Sequence, residues 1–333
     1  MARRSQGWQF IASKLGLYIL IFWAAITLNF IIPRLMPGNP ASALMAKSQG
    51  KMPPSALKAL EDAFGINTHV SLWRQYLGYL RNTVTGHMGI SFTNFPVPVA
   101  KVIGEMLPWT LFLIGLSTII AFFIGNILGL YSAWRRGGKI ADALPVAFTV
   151  ISAMPYFWIA LALLYFLGFS LNWFPISHAI GSNIKAGWNF QSIGSVIDHA
   201  TLPAFSIVVT SMGGWMMQMR NNLISILSHD YVQLAQMKGL PEPEVMRNYG
   251  ARNAMLPVLT SFAMSLGFVV GGAVLVEDVF NYPGIGYALV EAVGNSDYPL
   301  MQGIFLIIVS AVLLANLIVD LLYTFLDPRI RRA

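Results

Sequence analysis

Six long apolar runs dominate the pattern of hydrophobic and polar positions along the chain. Each run is long enough to cross the hydrocarbon core of a bilayer as a helix, which takes about 20 residues. The runs are continuous rather than alternating with a period of two, so they predict helices and not the strands of a β-barrel. They lie near Leu15–Pro33, Leu107–Trp134, Ala143–Leu171, Leu202–Leu227, Val258–Phe280 and Gly303–Leu326. The pattern therefore predicts an all-α membrane protein with six transmembrane helices.

Composition agrees with a membrane location for most of the chain. Hydrophobic residues make up 56% and charged residues 11%, whereas a soluble domain is roughly 25% charged. The first apolar run is too long for the core of a cleavable signal peptide, and no small-x-small cleavage site follows it. There are no cysteines, which excludes disulfides, thiol catalysis and thiolate metal sites.

Charge predicts how the helices are oriented. The net charge is +7, which is compatible with nucleic-acid binding, but the basic residues cluster at alternating ends of the runs as membrane topology requires. This distribution favours topology and places both termini in the cytoplasm. The 34–101 segment is also basic, but long loops translocate largely regardless of charge. The cytoplasmic clusters are Arg3, Arg4 and Lys14; Arg135, Arg136 and Lys139; Arg220, Lys238, Arg247 and Arg252; and Arg329, Arg331 and Arg332.

The chain is interpreted as a single transmembrane domain over residues 1–333. Its predicted parts are an N-terminal segment with the first span (1–35), an extracytoplasmic loop (36–106) and a five-helix core (107–333) that includes a polar connection at 228–256. The long loop contains two predicted helices, near Ser55–Phe64 and Ser71–Val84. The aromatic residues of the second helix suit the membrane interface, a partner, or the outer face of the protein itself.

The polar connection between the fourth and fifth runs contains a short amphipathic helix. Tyr231, Leu234 and Ala235 share one face of it, Lys238 complements the C-terminal helix dipole, and Gly239 ends it. The small residues Ala235 and Gly239 are expected to permit close approach of a neighbouring element.

A second short helix is predicted after the stop at Gly239–Pro241. Pro243 is suited to its first turn, and Arg252 and Asn253 then lead to Pro257 at the start of the fifth run. Two helices at an angle form a rigid protrusion suited to docking another protein, with folding back onto its own helices as the alternative.

No motif for nucleotide hydrolysis or metal catalysis occurs. The two Gly-Lys pairs, at 50–51 and 138–139, are followed by Met52 and Ile140 rather than by the Ser or Thr of a P-loop. The five histidines never show His-Glu-x-x-His spacing. The chain is therefore predicted not to be an enzyme and to bind no cofactor or metal.

Three groups of residues are candidates for the transport pathway or a gate. Asp320 lies about 10 Å by helix rise from Asp327, and is either a gate or relay or a carboxylate paired with a cytoplasmic arginine or a helix end. Glu277 and Asp278, at the outer end of the fifth run, either meet substrate or are solvated. Methionines and a tryptophan give the fourth run a soft surface that lines a pathway or simply packs: Met212, Trp215 and Met216.

Several segments together resemble the permease subunits of ABC importers of the dipeptide, oligopeptide and nickel branch, and the resemblance covers almost the whole chain. The Glu-Ala-Ala and later Gly of that family map onto Gln233, Leu234, Ala235 and Gly239, of which only the second Ala and the Gly are kept. The matching segments are PGNP at 37–40, QYLGYL at 75–80, GHMGISF at 86–92, DYVQLAQMKGL at 230–240, RNAMLP at 252–257, VFNYPGIG at 279–286, DYPL at 297–300 and DPRIRR at 327–332.

The resemblance implies a subunit of a binding-protein-dependent importer in a bacterial or archaeal cytoplasmic membrane. The partners it implies are a homologous permease in a heterodimer, two ABC ATPase subunits that bind ATP and Mg²⁺, and an extracytoplasmic solute-binding protein. Residues Tyr231–Gly239 then form the coupling helix, which Arg252–Pro257 ties to the fifth span. The implied cargo is an oligopeptide or an oligosaccharide, with nickel less favoured. An ion-coupled carrier or channel that needs no ATPase is the alternative.

Overall fold

The chain folds almost entirely into helices. A computed structural model describes the backbone of residues 2–35, 71–185 and 187–326, and the side chains of 13–35, 71–185 and 187–320. Within these residues, β structure is limited to one isolated antiparallel bridge between Ile90 and Pro98. The predicted all-α fold is confirmed, and the helix predicted near Ser55–Phe64 lies outside the described residues.

Among the described residues, five helices are individually long and apolar enough to cross a bilayer. A bent pair of helices, α4 (Lys139–Ala153) and α5 (Tyr156–Ser170), raises the number of spans to six if the pair counts as one. The five are α1 (Ala2–Leu35), α3 (Val99–Trp134), α6 (Phe190–Leu227), α8 (Glu242–Gly271) and α11 (Tyr298–Leu326). The shorter helices are α2 (Leu72–Thr85), α7 (Asp230–Met237), α9 (Val274–Val279) and α10 (Ile285–Gly294).

The third predicted span is not one straight helix. Helices α4 and α5 meet at an angle of 90°, because Pro155 has no amide proton and disfavours helical geometry at the residue before it. Met154 accordingly has φ −81° and ψ 133°, an extended conformation. The prediction of an uninterrupted helix over Ala143–Leu171 is therefore wrong.

The fifth predicted span is displaced along the chain. It does not reach Phe280, because Gly272 has a φ of +69°, a left-handed conformation that favours glycine. At its other end, α8 begins at Glu242 and passes through a π-helical turn at Val245–Ala251 without stopping. The second short helix predicted in the polar connection is therefore the first part of the span itself.

Two compact units are formed by residues 1–108 with 284–333 and by residues 109–283. In the first unit, α1 and α10 each pack against α11, and a core forms around Val102, Ile285 and Ile304. In the second unit, α6 packs against α4, α5 and α8. Within that unit, α6 is therefore the common packing partner. That the chain forms a single transmembrane domain stays a prediction.

Candidate coupling and gating sites

Helix α7 is a short helix with well-defined ends. It begins after His229, whose extended backbone (φ −80°, ψ 145°) separates it from α6, and Asp230 in its first turn complements the helix dipole. At the other end, Gly239 has a φ of +75°, and the amide of Leu240 donates to the carbonyl of Ala235 at 3.4 Å. The glycine stop predicted from the sequence is present.

The two faces of α7 have different environments. Val232 and Ala235 are buried against Val245. Tyr231, Leu234 and Met237 are instead 39%, 53% and 81% exposed. Tyr231, Leu234 and Ala235 lie on one side of the helix, as their spacing predicts, but Ala235 at the edge of that side is buried whereas the other two are exposed. The exposed side of α7 presents an unusually apolar surface for a polar connection.

Side-chain contacts attach α7 to the start of α8. The amide nitrogen Nδ2 of Asn253 donates to Tyr231 Oη at 3.2 Å and to the carbonyl of Tyr249 at 2.8 Å. Val245, in the π-helical turn, belongs to the same buried cluster as Val232. These contacts fix α7 to the first half of α8. The other predicted coupling residues, Gln233, Lys238, Arg252 and Pro257, are exposed, and Pro257 lies inside α8 rather than at its beginning.

Gly239 was expected to permit close approach of a neighbouring element, and the structure does not support this reason. A Cβ added to Gly239 would meet no atom within 4 Å, so the residue does not permit a close approach. Its positive φ is what requires glycine, since L side chains rarely adopt that conformation.

A close contact between α3 and α6 was missed in the sequence analysis. A Cβ added at Gly125 would lie 2.5 Å from the carbonyl oxygen of Met212, and one at Gly129 would lie 2.5 Å from that of Met216. On another side of α6, a Cβ at Gly213 would lie 3.1 Å from the carbonyl oxygen of Phe148 in α4. Gly125-x-x-x-Gly129 is the small-residue spacing typical of tightly packed membrane helices, and this signal was available in the sequence.

The candidate pathway residues of α6 lie partly inside this contact. Met216 is fully buried, and the ring of Trp215 packs edge-on against Phe122, with ring centroids 5.4 Å apart. Met212 is partly exposed. The environment of Met216 is that of a packing residue, while a pathway role for Met212 and Trp215 stays a prediction.

Asp320 is paired with two residues of α1. Its Oδ2 accepts from Lys14 Nζ at 2.5 Å and from Tyr18 Oη at 3.0 Å, and the side chains of Lys14 and Asp320 are 32% and 33% exposed. The carboxylate is therefore paired as the simpler alternative requires, although with a lysine rather than an arginine. The role of gate or relay stays a prediction.

Glu277 does not lie where water is close. It is fully buried, and its Oε1 accepts from Thr110 Oγ1 at 2.8 Å. The sequence pattern placed it at a solvated end of a span, but α9 packs back onto α5 after the break at Gly272 and removes Glu277 from solvent. Burial, and then the charge of Glu277, raise the pKa of the nearby Tyr282 above its usual value. Asp278 is partly exposed.

A second buried carboxylate joins two of the recognised segments. Asp297 is fully buried, and its Oδ2 accepts from Ser91 Oγ at 2.6 Å and from the amide of Thr93 at 2.8 Å. Its Oδ1 accepts from the amide of Leu300 at 3.1 Å, which caps the first turn of α11. One side chain therefore holds together the segments GHMGISF (86–92) and DYPL (297–300), although Ser91 and Asp297 are 206 positions apart in the sequence.

Comparison with known proteins assigns the chain to a family. Residues 125–332 match the family described as "Binding-protein-dependent transport system inner membrane component". Oligopeptide transport system permease protein AppB of Bacillus subtilis is 33% identical over 96% of this chain and 98% of its own length. Two proteins named DppB are also similar over 97% of this chain: the dipeptide permease of Lactococcus lactis at 30% identity and the di/tripeptide permease of Pseudomonas aeruginosa at 32%. This chain belongs to the binding-protein-dependent inner membrane components of ABC importers, within their peptide permeases.

Proposed function

We propose that this chain is the membrane-spanning subunit of an ATP-driven importer of oligopeptides or dipeptides, and that α7 is the helix through which an ATPase subunit moves it. The observation that carries the proposal is the apolar surface formed by Tyr231, Leu234 and Met237 on a helix bonded to α8. Burial of one such side chain in an interface stabilises the interface by about 1.5–3 kcal/mol, which is enough for a small helix to be held firmly.

The mechanism follows from how α7 is attached. Asn253 and the cluster around Val245 join α7 to α8, and α8 continues without a stop through the π-helical turn to Gly271. Displacement of α7 by closure of an ATPase dimer therefore tilts α8, which packs against α6. The same pair of helices then alternates between outward- and inward-facing arrangements.

The proposed partners are those implied by the family, and they include the ATPase subunits because the sequence contains no P-loop motif. ATP and Mg²⁺ bind to two ABC ATPase subunits, a homologous permease completes the pathway as a heterodimer, and an extracytoplasmic solute-binding protein delivers the cargo. Both termini and α7 then lie in the cytoplasm. The relatives are named for peptides, which supports peptide cargo over an oligosaccharide or nickel.

The docking role is tested by placing a charge on the exposed face of α7. In the complete transporter reconstituted in liposomes, Leu234→Asp is expected to lower ATPase stimulation by the loaded solute-binding protein about fivefold, from the lost burial of the half of Leu234 that is exposed. Gln236→Asp is the matched control, since Gln236 is an exposed polar residue of the same helix. Unchanged stimulation in Leu234→Asp contradicts the docking role. Peptide uptake by liposomes that contain this chain without ATPase subunits supports an ion-coupled carrier instead.

A further inference from the structure

Helix α2 packs against the end of α1 with only part of its surface. Phe30 of α1 contacts the rings of Tyr76 and Tyr79, with centroids 5.2 Å and 5.5 Å away. Tyr76 Oη is 2.7 Å from Thr27 Oγ1, and Asn29 Nδ2 donates to Tyr79 Oη at 3.1 Å. These contacts hold one side of α2 to the membrane-spanning helix.

The contacts also indicate the depth of α2. Thr27 and Phe30 lie within the last nine residues of α1, which ends at Leu35. At a rise of about 1.5 Å per residue, they are about 7–12 Å from the end of the span. Helix α2 therefore lies beside the last turns of the candidate span Ser13–Leu35, close to one of its two ends.

A second apolar stripe on α2 is not covered. Trp73, Leu77 and Val84 are 65%, 47% and 86% exposed, and their spacing of four and seven residues puts them on one helical face. At the end of α1, Ile32 and Leu35 are also exposed. Both α2 and the end of α1 therefore carry uncovered apolar side chains.

Two arginines are positioned along one flank of this stripe. Arg74 and Arg81 are exposed and seven residues apart, so they project from the same side of α2. The helix contains no Asp or Glu, and no ion pair between described residues involves either arginine. An apolar face with aromatic residues and a basic flank is the pattern of a helix that lies in the plane of a membrane interface.

We propose that α2 lies in the surface of the bilayer, with Trp73, Leu77 and Val84 in the acyl boundary and Arg74 and Arg81 bound to anionic phospholipid headgroups. The contacts of Tyr76 and Tyr79 with α1 fix the depth of α2 in the bilayer. The exposed face of α2 then binds the surface of a bilayer that contains acidic lipid, and α2 holds the end of α1 at that surface.

The location is tested with single cysteines, which the chain otherwise lacks. Nitroxide labels at Leu77→Cys and Val84→Cys in full-length protein in liposomes are expected to be reached by oxygen and shielded from a water-soluble nickel chelate. A label at Asn82→Cys, on the polar face, is the control and is expected to be reached by the chelate. Equal access of the chelate to all three labels overturns the proposal, as does shielding of Val84→Cys from both reagents, which indicates a protein partner.

Headgroup binding is tested separately. Arg74→Gln with Arg81→Gln is expected to weaken retention of phosphatidylglycerol by purified full-length protein about fivefold for each arginine removed. Lys101→Gln is the matched control, because Lys101 is also an exposed basic residue, and its Nζ lies 3.9 Å from Glu105. Retention that is unchanged in the double variant, or that falls as far in the control, overturns the assignment of the two arginines.

Discussion

Replacing Gly125 and Gly129 with alanine tests whether α3 and α6 are packed backbone to backbone. The new Cβ atoms would lie 2.5 Å from the carbonyl oxygens of Met212 and Met216, about 1 Å inside ordinary van der Waals contact, which begins at 3.4 Å. Because backbone atoms cannot rotate away, α3 and α6 must separate. The separation loosens the packing around the fully buried Met216 and Met219.

The expected cost follows from two opposing effects. Overpacking of this kind costs about 3 kcal/mol per site at the upper end of its range. Alanine recovers about 1 kcal/mol through its higher helix propensity. The double variant is therefore expected to lose about 4 kcal/mol, which for a chain of this length corresponds to a fall of about 6 °C in the unfolding temperature.

The measurement is the unfolding temperature of the purified chain in one detergent. Gly104→Ala is the matched control, since Gly104 lies in the same helix and a Cβ there would meet nothing within 4 Å. The control is expected to be unchanged or slightly more stable. If the unfolding temperature of the Gly125→Ala, Gly129→Ala variant lies within about 2 °C of the control, close backbone packing is not what holds α3 to α6.

Substitutions at three further positions have expected effects on the unfolding temperature. Gly239→Val costs at least about 1–2 kcal/mol through its positive φ, whereas Gly239→Asn is nearly neutral because asparagine tolerates that conformation. Asp320→Asn costs about 1 kcal/mol, since the ion pair with Lys14 is one-third exposed. Asp297→Ala costs about 3 kcal/mol by leaving the Ser91 hydroxyl and the amides of Thr93 and Leu300 without their acceptor.

Each of these expectations has a distinct contrary outcome. Equal stability of the valine and asparagine variants at position 239 means that backbone conformation does not determine the choice of glycine. A double-mutant cycle on Lys14 and Asp320 without coupling energy means that the pair contributes nothing. If Asp297→Ala is no less stable than Ser91→Ala, the carboxylate does not hold the two segments together.

The apolar runs alone determined much of this fold, because backbone groups in lipid must pair within their own segment. Each predicted run is mostly helical in the described residues, although the third is broken at Pro155 and the fifth at Gly272, and the stop at Gly239 follows from local backbone conformation. The bend at Pro155 could also have been predicted from the sequence, since proline disfavours helical geometry at the residue before it. It was missed because the apolar run on both sides of Pro155 is continuous and was interpreted as one span.

The tertiary structure decided which side of each element is covered. Ala235 turns inward because Val245, ten residues later, packs against the same face. Asp320 is paired with Lys14, which is 306 positions away in the sequence. Glu277 is buried because α9 packs back onto α5. Periodicity identifies a helix and its apolar residues, but burial depends on which distant segment packs there. Helix formation is local and could be read from the sequence, whereas the exposed face of α7 and the partners of the buried charges depend on contacts between distant residues.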